Sequence, residues 1–140
     1  MRVAFDTSVL VAAAKSRLGA SFALVQSLPN SKFEVALSVS LYTEWQAVLT
    51  RPEHLPPGRT ADQALAFLRY LAGQCHLQDI FYLWRPYLRD PDDDMVLELA
   101  VAARCSHIVT HNLRDFRDLE SFGILAITPK DFIHLLQTLP

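Results

Sequence analysis

Residues 93–115 read DDMVLELAVAARCSHIVTHNLRD, and this stretch decides the fold. Val96, Leu99, Ala100 and Ala103 recur at helical spacing and form one apolar stripe, so a helix is expected over Asp93 to Arg104. The run that follows, His107 to Thr110, is short and β-branched, which reads as a buried strand that ends in polar residues. Outward from here the same alternation repeats. Further strands are expected at Val3 to Phe5, Glu34 to Leu37, Leu77 to Leu83 and Ile124 to Ile127. Between them lie helical patterns at Ser8 to Lys15, Ala20 to Leu28, Leu41 to Leu49, Ala61 to Cys75 and Asp131 to Leu139. Strand–helix alternation implies an α/β fold, a three-layer α/β/α sandwich with a central, mainly parallel five-stranded sheet. The Pro-rich RPEHLPPGRT at 51–60 reads as a surface loop, so one domain over 1–140 is expected.

Composition bounds the function. A chain of 140 residues with 51% hydrophobic content supports a core without disulfides or a structural metal, so any metal would serve chemistry. A net charge of −2 lacks the global basicity of non-specific nucleic-acid binders, and contact with nucleic acid must be local. Ten of the thirteen basic residues are arginine, the type whose planar fork suits phosphate. Cys75 and Cys105 stand far apart with no CxxC, which fits reduced thiols and a cytoplasmic location. An acid already stands at position 6 and no apolar run approaches a membrane-spanning length, so neither a signal peptide nor a membrane span is expected.

In an open parallel sheet, ligands bind beyond the carboxyl ends of the strands. Asp6 directly follows the first strand; helix capping alone would also place an Asp there. Glu44 lies within the apolar stripe Leu41, Trp45, Val48, Leu49, where a carboxylate requires a cation or an arginine such as Arg51. With Ser40 as cap, Glu44 is not the acid of a capping box. In DPDDDMVLELA most acids suit a helix start, with Asp92 or Asp93 as cap, and Asp94 sits at the mouth of the stripe. The D-x-D-x-D at 90, 92 and 94 is not a calcium loop, because Met95 takes the glycine position. After the fourth strand come Asn112 and Asp115, an arrangement that could also be a cap. His107 and His111 would share one side of the sheet roughly 13 Å apart, too far to share a zinc ion.

Asp6, Glu44, Asp94 and Asp115 are therefore four acids from four segments that converge on one edge. Hard oxygen donors without His or Cys point to Mg²⁺ or Mn²⁺, which activates water for in-line phosphodiester hydrolysis.

The ordered set DTSVL, EWQAVLTRP, DPDDDMVLELA and THNLRDF resembles the PIN-domain ribonucleases, in particular the VapC-like toxins of bacterial type II toxin–antitoxin pairs. The step of eighteen from Asp94 to Asn112 and of three on to Asp115 matches the family pattern. The resemblance implies a PIN-like fold and a metal-dependent endoribonuclease that leaves 5′-phosphate and 3′-hydroxyl ends on RNA. It assigns Asp6, Glu44, Asp94 and Asp115 to the metal, with Thr110 and Asn112 in support and Ser8 orienting the first carboxylate. Many relatives carry Asn where Ser8 stands, and some carry an acid where Asn112 stands, so one ion or two remains open. Asp92 and Asp93 are alternates for Asp94. Arg51, Arg89 and Arg114 are the candidates for RNA backbone contacts. A homodimer and a small antitoxin that covers the acidic cleft are implied partners. Two other readings compete: a non-catalytic RNA- or protein-binding module, and a phosphotransferase with Asp6 as nucleophile. Enzymes of the latter kind that resemble haloacid dehalogenases want a second Asp at position 8, where Ser8 stands.

Overall fold

The computed structural model describes residues 1–80 and 87–140. Five parallel strands form one sheet: β1 (Arg2–Phe5), β2 (Glu34–Leu37), β3 (His76–Leu77), β4 (His107–Val109) and β5 (Leu125–Ile127), in the order β3-β2-β1-β4-β5. Among the described residues six helices connect and cover them: α1 (Thr7–Lys15), α2 (Ala20–Gln26), α3 (Val39–Leu49), α4 (Ala61–Ala72), α5 (Pro91–Ala102) and α6 (Pro129–Gln137). The α/β/α sandwich with a five-stranded parallel sheet is the expected architecture. Among the described residues no single helix is long and apolar enough to cross a membrane.

Each element follows from its residues. The strands are short, and β1 is almost wholly apolar because neighbours on both edges and helices on both faces leave it no solvent. The register pairs Val3 with His107 and Phe5 with Val109, so these side chains share one face. On that face Phe132 of α6 packs edge-on to Phe33 at 5.1 Å and lies 6.0 Å from the His107 ring, and α2 packs beside α6. The opposite face carries Ala4, Ala36 and Ile108. There α5 crosses β1, β2 and β4 on the small alanines, burying Val96, Leu99, Ala100 and Ala103 as the stripe required. Arg2, on the same face by alternation, donates to the Ala103 carbonyl at 3.3 Å.

Several boundaries differ from expectation. The helix after β2 starts at Val39, two residues early, because Ser38 and not Ser40 is the cap, accepting from the Leu41 amide at 3.2 Å. α5 starts at Pro91, with Asp90 as cap through its bond from the Asp92 amide at 2.9 Å, and not at Asp93. α6 likewise starts at Pro129, capped by Thr128. α4 stops at Ala72, and the third strand is confined to His76–Leu77; residues 81–83 of the expected Leu77 to Leu83 strand lie outside the described residues. The 51–60 loop contains one 3-10 turn, Pro52–His54.

Candidate functional site

The strand order reverses at β1, whose neighbours β2 and β4 come from opposite directions of the chain. A crevice at such a switch point opens at the carboxyl ends of the strands, and Asp6 is the first residue beyond β1. Its amide extends the pairing by donating to the Val109 carbonyl at 3.0 Å. Asp6 occupies the N-cap position of α1, yet its side chain makes no capping bond. Instead Oδ2 accepts from the Ser8 hydroxyl at 2.7 Å and from the Thr110 hydroxyl at 2.8 Å. Capping therefore does not account for this carboxylate.

The two hydroxyls are themselves fixed. The Asn112 amide donates to Thr110 Oγ1 at 2.9 Å, and the His111 amide donates to Ser8 Oγ at 3.1 Å. An amide on the hydroxyl oxygen leaves the single hydroxyl proton to point at Asp6. Thr110 is fully buried and Asp6 nearly so. Both donors converge on Oδ2. The sequence placed Ser8 and Thr110 beside Asp6, and both are there. Asn112 takes part through its backbone; its side chain makes no cap bond to the 3-10 turn Leu113–Asp115.

Glu44 is half-buried on α3. Among the described residues its hydrogen-bond partner is the Thr7 hydroxyl of α1, and not Arg51. Burial raises its carboxyl above the ordinary range against the effect of that bond, with the charges of Asp92, Asp6 and Asp90 adding to the rise. Arg51 lies beyond the C-terminal end of α3, and among the described residues it forms no ion pair with an acid.

The expected third acid is Asp94 of α5. Asp94 Oδ1 accepts from the backbone amides of Leu88 at 2.7 Å and Tyr87 at 3.1 Å, which ties down the segment entering α5. Tyr87 in turn packs edge-on against Phe122 at 5.1 Å and donates its hydroxyl to the Asp118 carbonyl at 3.0 Å. Asp93, beside Asp94, senses the other acids as Glu44 does, and more strongly. Its carboxyl is pushed up to about 7, first by burial and then by the charges of Asp115, Asp6, Asp90 and Asp92. The physical reason is azimuth: Asp93 stands three residues before Val96 and seven before Ala100, on the buried stripe, and one more residue turns the side chain by roughly 100° around the axis. That spacing to the stripe is the signal in the sequence, and Pro91 behind the Asp90 cap keeps Asp93 within the helix. Asp6 and Thr110, by strand alternation from Ala4 and Ile108, fall on the face that α5 covers, which brings Asp6 under Asp93.

Asp115 lies exposed in the 3-10 turn after β4. Arg89 and Arg114 are exposed beside Asp90 and Asp115, respectively. Neither forms an ion pair among the described residues, where the only ion pair joins Arg2 and Glu34 far from this edge. His111 is exposed, and its ring meets buried Ser21 of α2 at 2.7 Å. His107 and His111 do fall toward the α6 and α2 side, as alternation required.

The site is thus a cluster of carboxylates in which burial, and after it the charges of its neighbours, raises the Asp93 carboxyl. No three His, Cys, Asp or Glu side chains among the described residues are gathered closely enough to hold an ion as they stand. The donor chemistry nonetheless fits a hard divalent cation: oxygen ligands only, an Asp6 held by one oxygen, and, among the described residues, no arginine paired with the cluster.

The PIN domain family model matches residues 2–114, from β1 into the loop after β4. No curated protein matches the chain. Among solved structures it is similar in fold to VapBC-1 from nontypeable Haemophilus influenzae, with TM-score 0.61, 14% identity, and coverage of 93% of this chain and 99% of that one. It is equally similar to VapBC2 from Rickettsia felis, solved bound to a DNA fragment from their promoter, with TM-score 0.61, 13% identity and coverage of 91% and 98%. With the match spanning the sheet switch point and the segments that carry Asp6, Glu44, Asp93 and Asp94, the chain belongs to the PIN domain family, whose members are nucleases.

Proposed function

We propose that this protein is a Mg²⁺- or Mn²⁺-dependent endoribonuclease and the toxin of a toxin–antitoxin pair. The observation that carries the nuclease reading is Asp6 at the carboxyl end of β1, its Oδ2 held by the Ser8 and Thr110 hydroxyls, with Asp93 in electrostatic reach of both Asp6 and Asp115. Carboxylates so arranged at a strand switch point are strained until a cation joins them. Asp6, Asp93 and Asp115 would hold the ion, with Glu44 at its margin, and Asp94 positions the 87–88 backbone. The bound ion would supply an activated water and stabilise charge on the scissile phosphate. Ser8 and Thr110 keep Asp6 Oδ2 occupied so that Oδ1 is presented in one orientation. Arg89 and Arg114 are placed to hold the flanking phosphates, and Arg51 serves more distant ones.

The toxin role is supported by the fold shared with two VapBC proteins, which are toxin–antitoxin complexes. An apolar groove of about 510 Å³ between α1, α2 and α4, lined by Leu10, Phe22, Val25, Phe67 and Tyr70, suits an antitoxin segment. A homodimer in the cytoplasm completes the reading.

The test is cleavage of a mixed RNA pool by purified protein with Mg²⁺, Mn²⁺ or chelator, beside Asp6→Asn and Asp93→Asn. Cuts that require metal and vanish in both variants are expected. Identical behaviour of wild type and variants under every condition overturns the nuclease reading in favour of a binding module.

A further inference from the structure

Ser21 is the second residue of α2 and only 2% exposed. A buried hydroxyl is costly unless bonded, and at that position no helical carbonyl lies one turn behind to accept from it. Its partner is the His111 ring, ninety residues away, with 2.7 Å between Oγ and Nε2. His111 is otherwise exposed, so this bond is what fixes its ring. The same residue's backbone amide donates to Ser8 Oγ, and Ser8 donates to Asp6 Oδ2. A continuous chain of contacts therefore runs from the interior of α2 to the proposed metal-binding carboxylate.

We propose that Ser21 and His111 are positioning residues that set the cation affinity of Asp6 by clamping the 110–112 loop. With the clamp in place, the His111 amide holds the Ser8 oxygen and aims its one proton at Asp6. Without it, the loop and Ser8 are free to turn, and Asp6 loses one of the two donors that orient it. The inference rests on the nuclease reading, and its test separates the two.

Mn²⁺ alone is titrated into wild type, Ser21→Ala, His111→Ala, His111→Gln, the Ser21→Ala/His111→Ala double variant and Asp6→Asn, by electron paramagnetic resonance, with melting temperatures and RNA cleavage in parallel. Contacts that orient a metal ligand are worth about 10–100-fold in affinity. A loss of roughly 10-fold is expected in Ser21→Ala and in His111→Ala, no greater in the double variant, with recovery in His111→Gln, whose amide reaches as far as Nε2. Cleavage at limiting Mn²⁺ should fall in step while KM for RNA stays constant. Unchanged Mn²⁺ affinity in the alanine variants, with Asp6→Asn abolishing binding, overturns this inference and leaves the nuclease reading standing. A raised KM with unchanged Mn²⁺ affinity also overturns it, making His111 an RNA contact. Wild type that binds no Mn²⁺ overturns both.

Discussion

Replacing Asp93 with Asn should stabilise the metal-free protein while destroying its activity. At pH 8 Asp93 is ionised against Asp115, Asp6 and its own helix neighbours. A carboxyl held at about 7 instead of 3.8 corresponds to roughly 4 kcal/mol at about 1.36 kcal/mol per pH unit. Asp93 is partly open to solvent, and screening reduces this to roughly 1–1.5 kcal/mol. Loss of an acid from the first turn of α5 offsets about 0.5 kcal/mol. The net is about 1 kcal/mol, or a rise of roughly 3–4 °C in Tm for a chain of this length. The effect has a defined pH course. Because the folded carboxyl is raised, the unfolded chain releases its proton first, near 3.8, and the folded one only near 7. Wild-type stability relative to the variant therefore falls between pH 4 and 7 and is constant above. Thermal melts in chelator at pH 4.5 and pH 8 should show matching Tm values at the lower pH and the gap at the higher. Mn²⁺ should then raise the wild-type Tm only. Asp94→Asn should instead lower Tm at pH 8, since the Tyr87 and Leu88 amides lose a charged acceptor. If Asp94→Asn is the stabilised variant and Asp93→Asn is not, the assignment of the third acid is wrong.

Other expectations follow from the same geometry. Mn²⁺ affinity should fall as pH drops below about 7, because the proton on Asp93 competes with the ion, and should level off above; titrations across pH 5.5–8.5 measure this. Burial lowers the His107 pKa, so the unfolded chain takes up that proton first and stability is lost as pH falls below 6.5. His107→Gln should remove part of that loss, read as a smaller change in urea midpoint between pH 7.5 and 5. Phe67, exposed on α4 at the apolar groove, should tolerate Asp with cleavage intact, while neutralisation by a co-expressed antitoxin is lost. Retained neutralisation would place the antitoxin elsewhere.

Alternation of short apolar runs with helical stripes was enough to read the sandwich, because a strand with both faces covered and a helix with one covered face leave different periods in the sequence. The positions after strands were legible for the same reason, and Asp6 with Ser8 and Thr110 is where that reading led. What the sequence hid was azimuth and partnership. Asp92, Asp93 and Asp94 are adjacent, and which one faces Asp6 depends on their offset from the buried stripe at Val96 and Ala100, once the helix extends back to Pro91. Oversight of a proline at the first helical position also shifted the expected start of α6 from Pro129 to Asp131. Thr7 meets Glu44 and Ser21 meets His111 across long sequence separations, and no local pattern announces a contact made by tertiary packing.

The central strand of the sheet is the first one synthesised. β1 finds β2 within some thirty residues, but its other edge waits for β4, as Val3 pairs with His107. At ribosomal rates of roughly 5–20 residues per second, that edge stays open for roughly 5–20 s. Thr110 and Asp115 emerge later still, so the groups that complete the acidic cluster are missing from every shorter nascent chain. On the proposed reading, the ribosome that makes this nuclease is safe from it until residues 110–115 have emerged. An antitoxin already present in the cell then has the whole of that interval in which to be waiting.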